Sequence, residues 1–375
     1  MESASRLFEP ITLGGVTLAN RIAVSPMCQY SAEDGSANDW HLQHLGSLSL
    51  SGAGLLVIEQ TAVEPAGRIS HGCLGLYSDE NEAALARAVA LCRRWGAARL
   101  GIQLAHAGRK ASAKIPWQGG GPLIPDAGGW AMVAPSAVPF DDHWPAPQAL
   151  DDAGLARIVN AHVEAATRAD RLGFDLVELL GAHGFLLHSF LSPISNRRSD
   201  SYGGSLANRM RFPLAVAAAM RGVWPRSKAL GMRLTGSDWI SGGITPEEAG
   251  IFARELREIG FDYVCVSSGG ISPQARVAVA PGYQVPFAAA VKQASGIATQ
   301  AVGMIADPHQ AEAIIAEGRA DCVALARAFL DDPRWSWHAA AALGADMDYP
   351  PQYRRSRPDL WPGAALARPH RSTGR

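Results

Sequence analysis

Eight short apolar runs recur along this chain, and stretches with helical periodicity separate them. The runs are residues 21–24, 55–59, 99–104, 176–179, 230–234, 263–267, 299–302 and 322–326. Between and after them lie amphipathic patterns at about 42–50, 80–95, 152–172, 206–223, 247–259, 287–294, 308–317 and 334–343. Strands that alternate with helices predict a parallel sheet with crossover connections. Eight such units in 375 residues predict closure into one (β/α)8 TIM barrel of the α/β class. The barrel is expected over about 7–345, within a single domain whose tail covers 346–375. Two helix starts carry their own stop signals for the preceding loop: Thr245-Pro246-Glu247-Glu248 and Asp307-Pro308-His309-Gln310 each place a capping side chain before a proline.

Two regions lack this rhythm. Residues 116–147, after the third run, are rich in Gly, Pro and Trp and too long for an ordinary βα connection, which marks a lid or binding loop. The tail beyond Tyr349 is irregular and carries Arg354, Arg355 and Arg357.

Composition narrows the function. Hydrophobic residues make up 47% and charged residues 18%, with a formal net charge of −1. A large core is available, and nothing electrostatic points to nucleic acid or an anionic membrane as partner. No apolar run reaches membrane-spanning length. Residues 1–10 lack a basic-then-apolar leader pattern. The five cysteines, Cys28, Cys73, Cys92, Cys265 and Cys322, include no C-x-x-C pair, which argues against a zinc site or a disulfide framework. Free thiols suit a reducing compartment, so a cytoplasmic enzyme is expected.

Rossmann, Walker A, H-E-x-x-H and G-x-S-x-G patterns are absent. His41 and His44 share a helix face, but with no third ligand near them a packing or capping role is the better reading. Barrel enzymes do their chemistry at the C-terminal ends of the strands. Those ends carry Ser25-Pro26-Met27-Cys28-Gln29-Tyr30, Glu59-Gln60-Thr61, Gln103 followed by His106 and Arg109, Gly181-Ala182-His183-Gly184-Phe185, Arg233, Ser267-Ser268-Gly269-Gly270, Gly303, and Ala326-Arg327. A glycine after strand seven and an arginine after strand eight suit a phosphate, although position alone equally allows Arg327 a surface salt bridge.

Four motifs make a resemblance specific. Ser25 through Ser31, Gln103-Leu104-Ala105-His106-Ala107-Gly108-Arg109-Lys110, Ala182-His183-Gly184 with Phe190-Leu191-Ser192-Pro193, and Asn196 through Ser205 with Asn208-Arg209 resemble the Old Yellow Enzyme family. Cys28 and the short chain are similar to its thermophilic-like branch, which includes xenobiotic reductases. The likeness runs in order from about Leu7 to Arg357.

That resemblance implies an FMN across the barrel mouth and NAD(P)H as reductant. It implies that Ser25, Pro26, Met27, Cys28, Gln60, Gln103 and Arg233 surround the flavin, with Arg233 beside the ring nitrogen that becomes negative on reduction. It implies that Ser268, Gly269, Gly303, Ala326 and Arg327 hold the ribityl chain and phosphate. Cys28 would tune the redox potential and Tyr30 would line the substrate cavity. Arg355 would reach a neighbouring subunit's site in a homodimer or homotetramer.

The sequence departs from the family at three places. A His usually stands at Leu180, as one of two hydrogen-bond donors of which His183 is the second. A proton-donating Tyr usually stands at Phe185, and a small residue at Gln60. The changes cluster on one cavity while the cofactor residues remain, which points to a retuned substrate or reaction rather than decay. The leading expectation is an ene-reductase for small-molecule α,β-unsaturated carbonyl or nitro compounds. The second is an FMN enzyme of the same family acting as a double-bond isomerase, or on an unusual substrate. A non-flavin barrel lyase is weaker, because Lys110, Lys114, Lys228 and Lys292 fall on no predicted strand end.

Overall fold

The apolar runs become strands. The computed structural model describes residues 5–367; residues 1–4 of the N-terminal stretch and 368–375 of the expected tail lie outside it. The strands are β1 (Ile22–Val24), β2 (Leu55–Ala62), β3 (Arg99–Ala105), β4 (Leu176–Gly181), β5 (Ala229–Thr235), β6 (Tyr263–Ser267), β7 (Ala298–Ala301) and β8 (Cys322–Leu325). Each pairs in parallel with its neighbour in chain order, and β8 closes on β1 through Val323↔Ile22 and Leu325↔Val24. The fold is therefore a (β/α)8 barrel. The surrounding helices are α1 (Asp39–Ser49), α2 (Asp79–Trp95), α3 (Asp152–Arg171), α4 (Leu206–Val223), α5 (Pro246–Ile259), α6 (Val285–Ser295), α7 (Pro308–Ala316) and α8 (Trp335–Ala342).

The period-two rule of strands divides the core into two layers. Leu55, Val57, Leu176, Ala229 and Cys265 share an inner cluster, while Leu56, Ile58, Val177 and Val264 pack into the outer one with the helices. A hairpin of Ile11–Leu13 and Val16–Leu18, turning on Gly14-Gly15, plugs the lower end and adds Leu13, Val16 and Leu18 to the inner cluster. Both expected caps form: the Thr245 side chain accepts from Glu248 N and the Asp307 side chain from Gln310 N. A cap not foreseen opens α1, where Asn38 and His41 exchange bonds in a capping box, so His41 does have a capping role.

The long loop is more ordered than its composition suggests. Val133–Ala134 pairs with Gln148–Ala149, and Trp130 Nε1 donates to Ala66 O at 3.0 Å. Arg109, buried, donates from Nη1 to Val138 O and Pro139 O at 3.3 and 3.0 Å. Two short helices also escape the sequence pattern: Leu186–Leu191 after β4 and Arg327–Asp331 after β8.

Candidate active site

The upper mouth of the barrel is built around a break in strand alternation. Register between β2 and β3 shifts between Ile58 and Gln60, so Gln60 rather than Glu59 lies opposite Gln103. Glu59 contacts the α1 side through His41 at 3.5 Å and accepts from Gln29 N at 2.9 Å. Gln60 meets Cys28, whose Sγ donates to Gln60 Oε1 at 3.8 Å. Burial pushes the Cys28 thiol well above its usual range, and Cys73 and Glu59 add to the effect. Tyr30 sits beside it at φ 51° and packs edge-on against Trp117 of the long loop, with ring centroids 6.0 Å apart. Burial raises the Tyr30 phenol too, so both groups hold their protons at neutral pH.

A polar layer lies among the inward residues of the next strands. Arg233 Nη1 donates to Ser25 Oγ at 2.8 Å, tying β5 to the end of β1. Gln103 Nε2 donates to Glu178 Oε1 at 2.6 Å, and the Tyr263 hydroxyl donates to Glu178 Oε2 at 2.8 Å. These bonds fix the Gln103 amide with its oxygen left for another partner. Glu178 is fully buried, and burial raises its carboxyl while the nearby Arg233 pulls it down. Arg233 therefore has a protein carboxyl nearby.

The ends of β6, β7 and β8 form the other side. Gln284 Oε1 accepts from Ser268 Oγ at 2.6 Å and has Ser267 Oγ within reach at 3.2 Å, and its Nε2 donates to Val302 O at 3.1 Å. Gly303, at φ 110°, follows at once; a Cβ there would meet Gln284 Nε2 at 2.4 Å. Gly269 is also left-handed, at φ 72°. Ala326 is the N-cap of the short helix that Arg327 opens, and Arg327 is exposed.

The end of β4 and the turn after it carry two of the three departures, Leu180 and Phe185. Leu180 packs with Ala105, Ala182 and Phe185 in a small apolar cluster. His183 occupies the left-handed region at φ 61°, and its Nε2 lies 2.7 Å from Ser267 Oγ. Burial, then Arg233 and Lys110, drive the His183 imidazole well below its ordinary value, so the ring is neutral. The strained turn is held from below: Gly184 N donates to His188 Nδ1 at 2.8 Å, and His188 Nε2 faces Asp238 Oδ1 at 3.0 Å. Lys110 closes it from above, donating from Nζ to His183 O at 2.8 Å and Gly270 O at 3.1 Å.

The expected residues at strands β1 to β8 thus converge on one mouth. Arg355 does not join them. It is exposed on a 3-10 turn, Pro351–Ser356, in a tail segment whose Tyr349 and Tyr353 rings lie 4.1 and 6.0 Å from that of Trp337. Sequence reasoning missed Lys110, because a 3-10 turn (Gly108–Lys110) rather than a strand end returns it to the site. It also missed Glu178, although a lone charge inside the apolar run of β4 was the signal. Gln284, His188 and Asp238 carried no signal.

The residues present fit FMN. Arg233 Nε and Gln60 Nε2 are buried donors with no partner among the described residues. Each costs about 1–3 kcal/mol unless an acceptor is supplied, and the isoalloxazine ring is rich in carbonyl and ring-nitrogen acceptors. The glycine backbone at Gly303, left bare of a side chain by its contact with Gln284, suits a phosphate.

Comparisons with known proteins agree with this geometry. The family model for the NADH:flavin oxidoreductase / NADH oxidase family matches residues 6–345. An NADPH dehydrogenase of Geobacillus thermodenitrificans is 42% identical over 351 residues, covering 93% of this chain and 98% of that one. An NADPH dehydrogenase of Listeria innocua is 41% identical over 354 residues, covering 94% and 99%. Among solved structures, morphinone reductase in complex with tetrahydroNAD superposes with a TM-score of 0.75 at 28% identity, covering 92% of this chain and 93% of that one. The chain belongs to the NADH:flavin oxidoreductase (Old Yellow Enzyme) family and is an FMN-dependent NAD(P)H oxidoreductase.

Proposed function

We propose that this enzyme reduces activated C=C bonds of α,β-unsaturated carbonyl or nitro compounds, with NADPH as the electron source its relatives' names suggest. The observation that carries the reading is the neutral His183 ring standing at the same mouth as Ser25, Gln103 and Arg233, with Nδ1 making no hydrogen bond among the described residues. Bound FMN supplies the two-electron carrier. Ser25, Met27, Cys28, Gln60, Gln103 and Arg233 would hold its ring, and Ser268, Gly269, Gly303, Ala326 and Arg327 its ribityl phosphate, with Pro26 shaping the β1 turn.

The chain's own residues then bind and polarise the acceptor. His183 donates from Nδ1 to the substrate oxygen, drawing charge onto it as the C=C bond is attacked. Tyr30, edge-on to Trp117, lines the cavity. We further propose that the exposed Arg355 completes a neighbouring subunit's cavity in a homodimer or homotetramer. A cytoplasmic location for a single-domain protein fits its five free thiols. No helix of the described residues is long and apolar enough to cross a membrane.

A second reading keeps the FMN and changes the reaction, to a double-bond isomerase or an unusual acceptor. The apolar cluster of Leu180, Ala105, Ala182 and Phe185 favours it, because that wall replaces two polar groups with hydrocarbon. One experiment separates the two. The purified protein is reduced anaerobically with NADPH, followed by loss of visible absorbance, and reoxidised with a panel of enones and nitroalkenes. Bleaching followed by reoxidation supports ene-reduction. Bleaching with no reoxidation by any acceptor, together with migration of a double bond in a β,γ-enone, favours the isomerase.

A further inference from the structure

The turn that replaces the family's tyrosine with Phe185 leaves an ammonium directly over that ring. Lys110 Nζ lies 5.2 Å from the Phe185 centroid and 4.6 Å from that of Phe140. An ammonium has three donors. Two are spent on His183 O and Gly270 O, which fix the nitrogen in place, and the third makes no hydrogen bond among the described residues. A ring face holds a cation but does not accept its proton as a carbonyl does. The lysine is thus anchored on the wall from which a tyrosine hydroxyl would act, with one N–H uncommitted.

We propose that Lys110 is the proton donor of the oxidative half-reaction, delivering its third proton to the substrate α-carbon. This rests on the ene-reduction reading above. Once hydride has been delivered to the β-carbon, a C–H bond forms at the α-carbon as an N–H bond of Lys110 breaks. The N–H electron pair stays on the nitrogen, the enolate pair makes the new C–H bond, and solvent water returns a proton to the amine. Burial, with Arg109 adding, brings the Lys110 ammonium down to about 8, where it is charged at neutral pH yet a far better acid than an exposed lysine. The charged and titratable groups around it are Arg109 on its own turn and His183 after β4; the Gly270 segment contributes a carbonyl and Phe140 a ring. The neighbouring alternatives are poorer acids. Burial pushes the Cys28 thiol and the Tyr30 phenol strongly upward, and the His183 ring is neutral.

The test follows reoxidation of NADPH-reduced, FMN-loaded enzyme by cyclohexenone in stopped flow, from pH 6 to 10. Wild type should slow as pH rises through about 8, because the acid form is lost. Lys110→Met and Lys110→Arg should both reoxidise on the order of 10²-fold more slowly, with no fall near that pH. Arginine keeps the charge and the carbonyl contacts but does not release its proton in this range, so it reports acid chemistry even where the methionine variant fails to fold. Adding Phe185→Tyr to Lys110→Met restores a hydroxyl acid without restoring the His183 contact, and should recover most of the rate. A Lys110→Arg enzyme as fast as wild type, an unaltered pH profile, or no rescue by Phe185→Tyr would overturn the assignment while leaving ene-reduction standing. Wild type that cyclohexenone and the other acceptors fail to reoxidise overturns both.

Discussion

Nε2 of His183 and the hydroxyl of Ser267 lie 2.7 Å apart, and that contact decides which imidazole nitrogen is free for substrate. The Ser267 hydroxyl has one proton and two acceptors in reach, the ring nitrogen and Gln284 Oε1 at 3.2 Å. Gln284 Oε1 already accepts from Ser268 at 2.6 Å, so the shorter contact takes the Ser267 proton. His183 then carries its own proton on Nδ1, the tautomer able to donate to a substrate oxygen.

Ser267→Ala releases that choice of tautomer. Reoxidation of reduced enzyme by an enone should slow by roughly tenfold, about 1.4 kcal/mol, while FMN remains bound, because a neutral hydrogen bond is worth about 0.5–1.5 kcal/mol. Stopped-flow reoxidation with a parallel FMN titration checks this. An unchanged rate would mean the ring orients without Ser267.

Asp238→Asn attacks the support beneath the strained turn. Asp238 Oδ2 accepts from Ser192 Oγ at 2.7 Å and Ile244 N at 2.8 Å, leaving Oδ1 for His188. Because His188 Nδ1 accepts from Gly184 N, its proton is on Nε2, and an Asn amide nitrogen would meet it donor to donor. The expected loss is about 1–3 kcal/mol in urea unfolding at pH 7. Burial opposes the charge, but His188 and these hydrogen bonds hold the carboxyl below its ordinary value. Its stabilisation is therefore present above the unfolded value and lost as pH falls through the lower native one. The gap between variant and wild type should narrow on acidification; a gap that is constant with pH, or absent at pH 7, contradicts the account.

Cys28→Ala should keep FMN and change its reduction potential, since the thiol contacts Gln60 and Tyr30 rather than any group at the β7–β8 end. Burial also keeps the thiol protonated, so alkylation of wild type by iodoacetamide should be slow at pH 7. Spectroelectrochemistry and mass spectrometry of the alkylated protein report the two effects. Loss of the flavin from the variant would put Cys28 in a holding role instead.

Leu180→His with Phe185→Tyr restores the two family groups. Each missing group costs on the order of 10²-fold where nothing replaces it. The pair should speed cyclohexenone reoxidation, provided the new polar atoms find partners in a pocket now lined by Ala105 and Ala182. A stable, FMN-loaded double variant with no gain in rate would favour the isomerase or unusual-substrate reading.

The sequence by itself determined the barrel and the position of its mouth. Short apolar runs, the helical patterns between them and helix caps are local properties, so strand order and all eight strand positions were legible from the sequence. The motif residues from Ser25 to Arg327 were legible too, because barrel topology brings every strand end to one face. What only the tertiary structure decided depends on contacts between distant segments. A one-residue bulge turned Gln60 inward and Glu59 toward His41. A 3-10 turn carried Lys110 back over Phe185, and Gln284, from the start of α6, bound Ser267 and Ser268. His188 and Asp238, fifty residues apart in sequence, meet beneath Gly184. None of these has a sequence period, because each is set by where a loop returns, and loop paths are fixed by packing against the finished barrel.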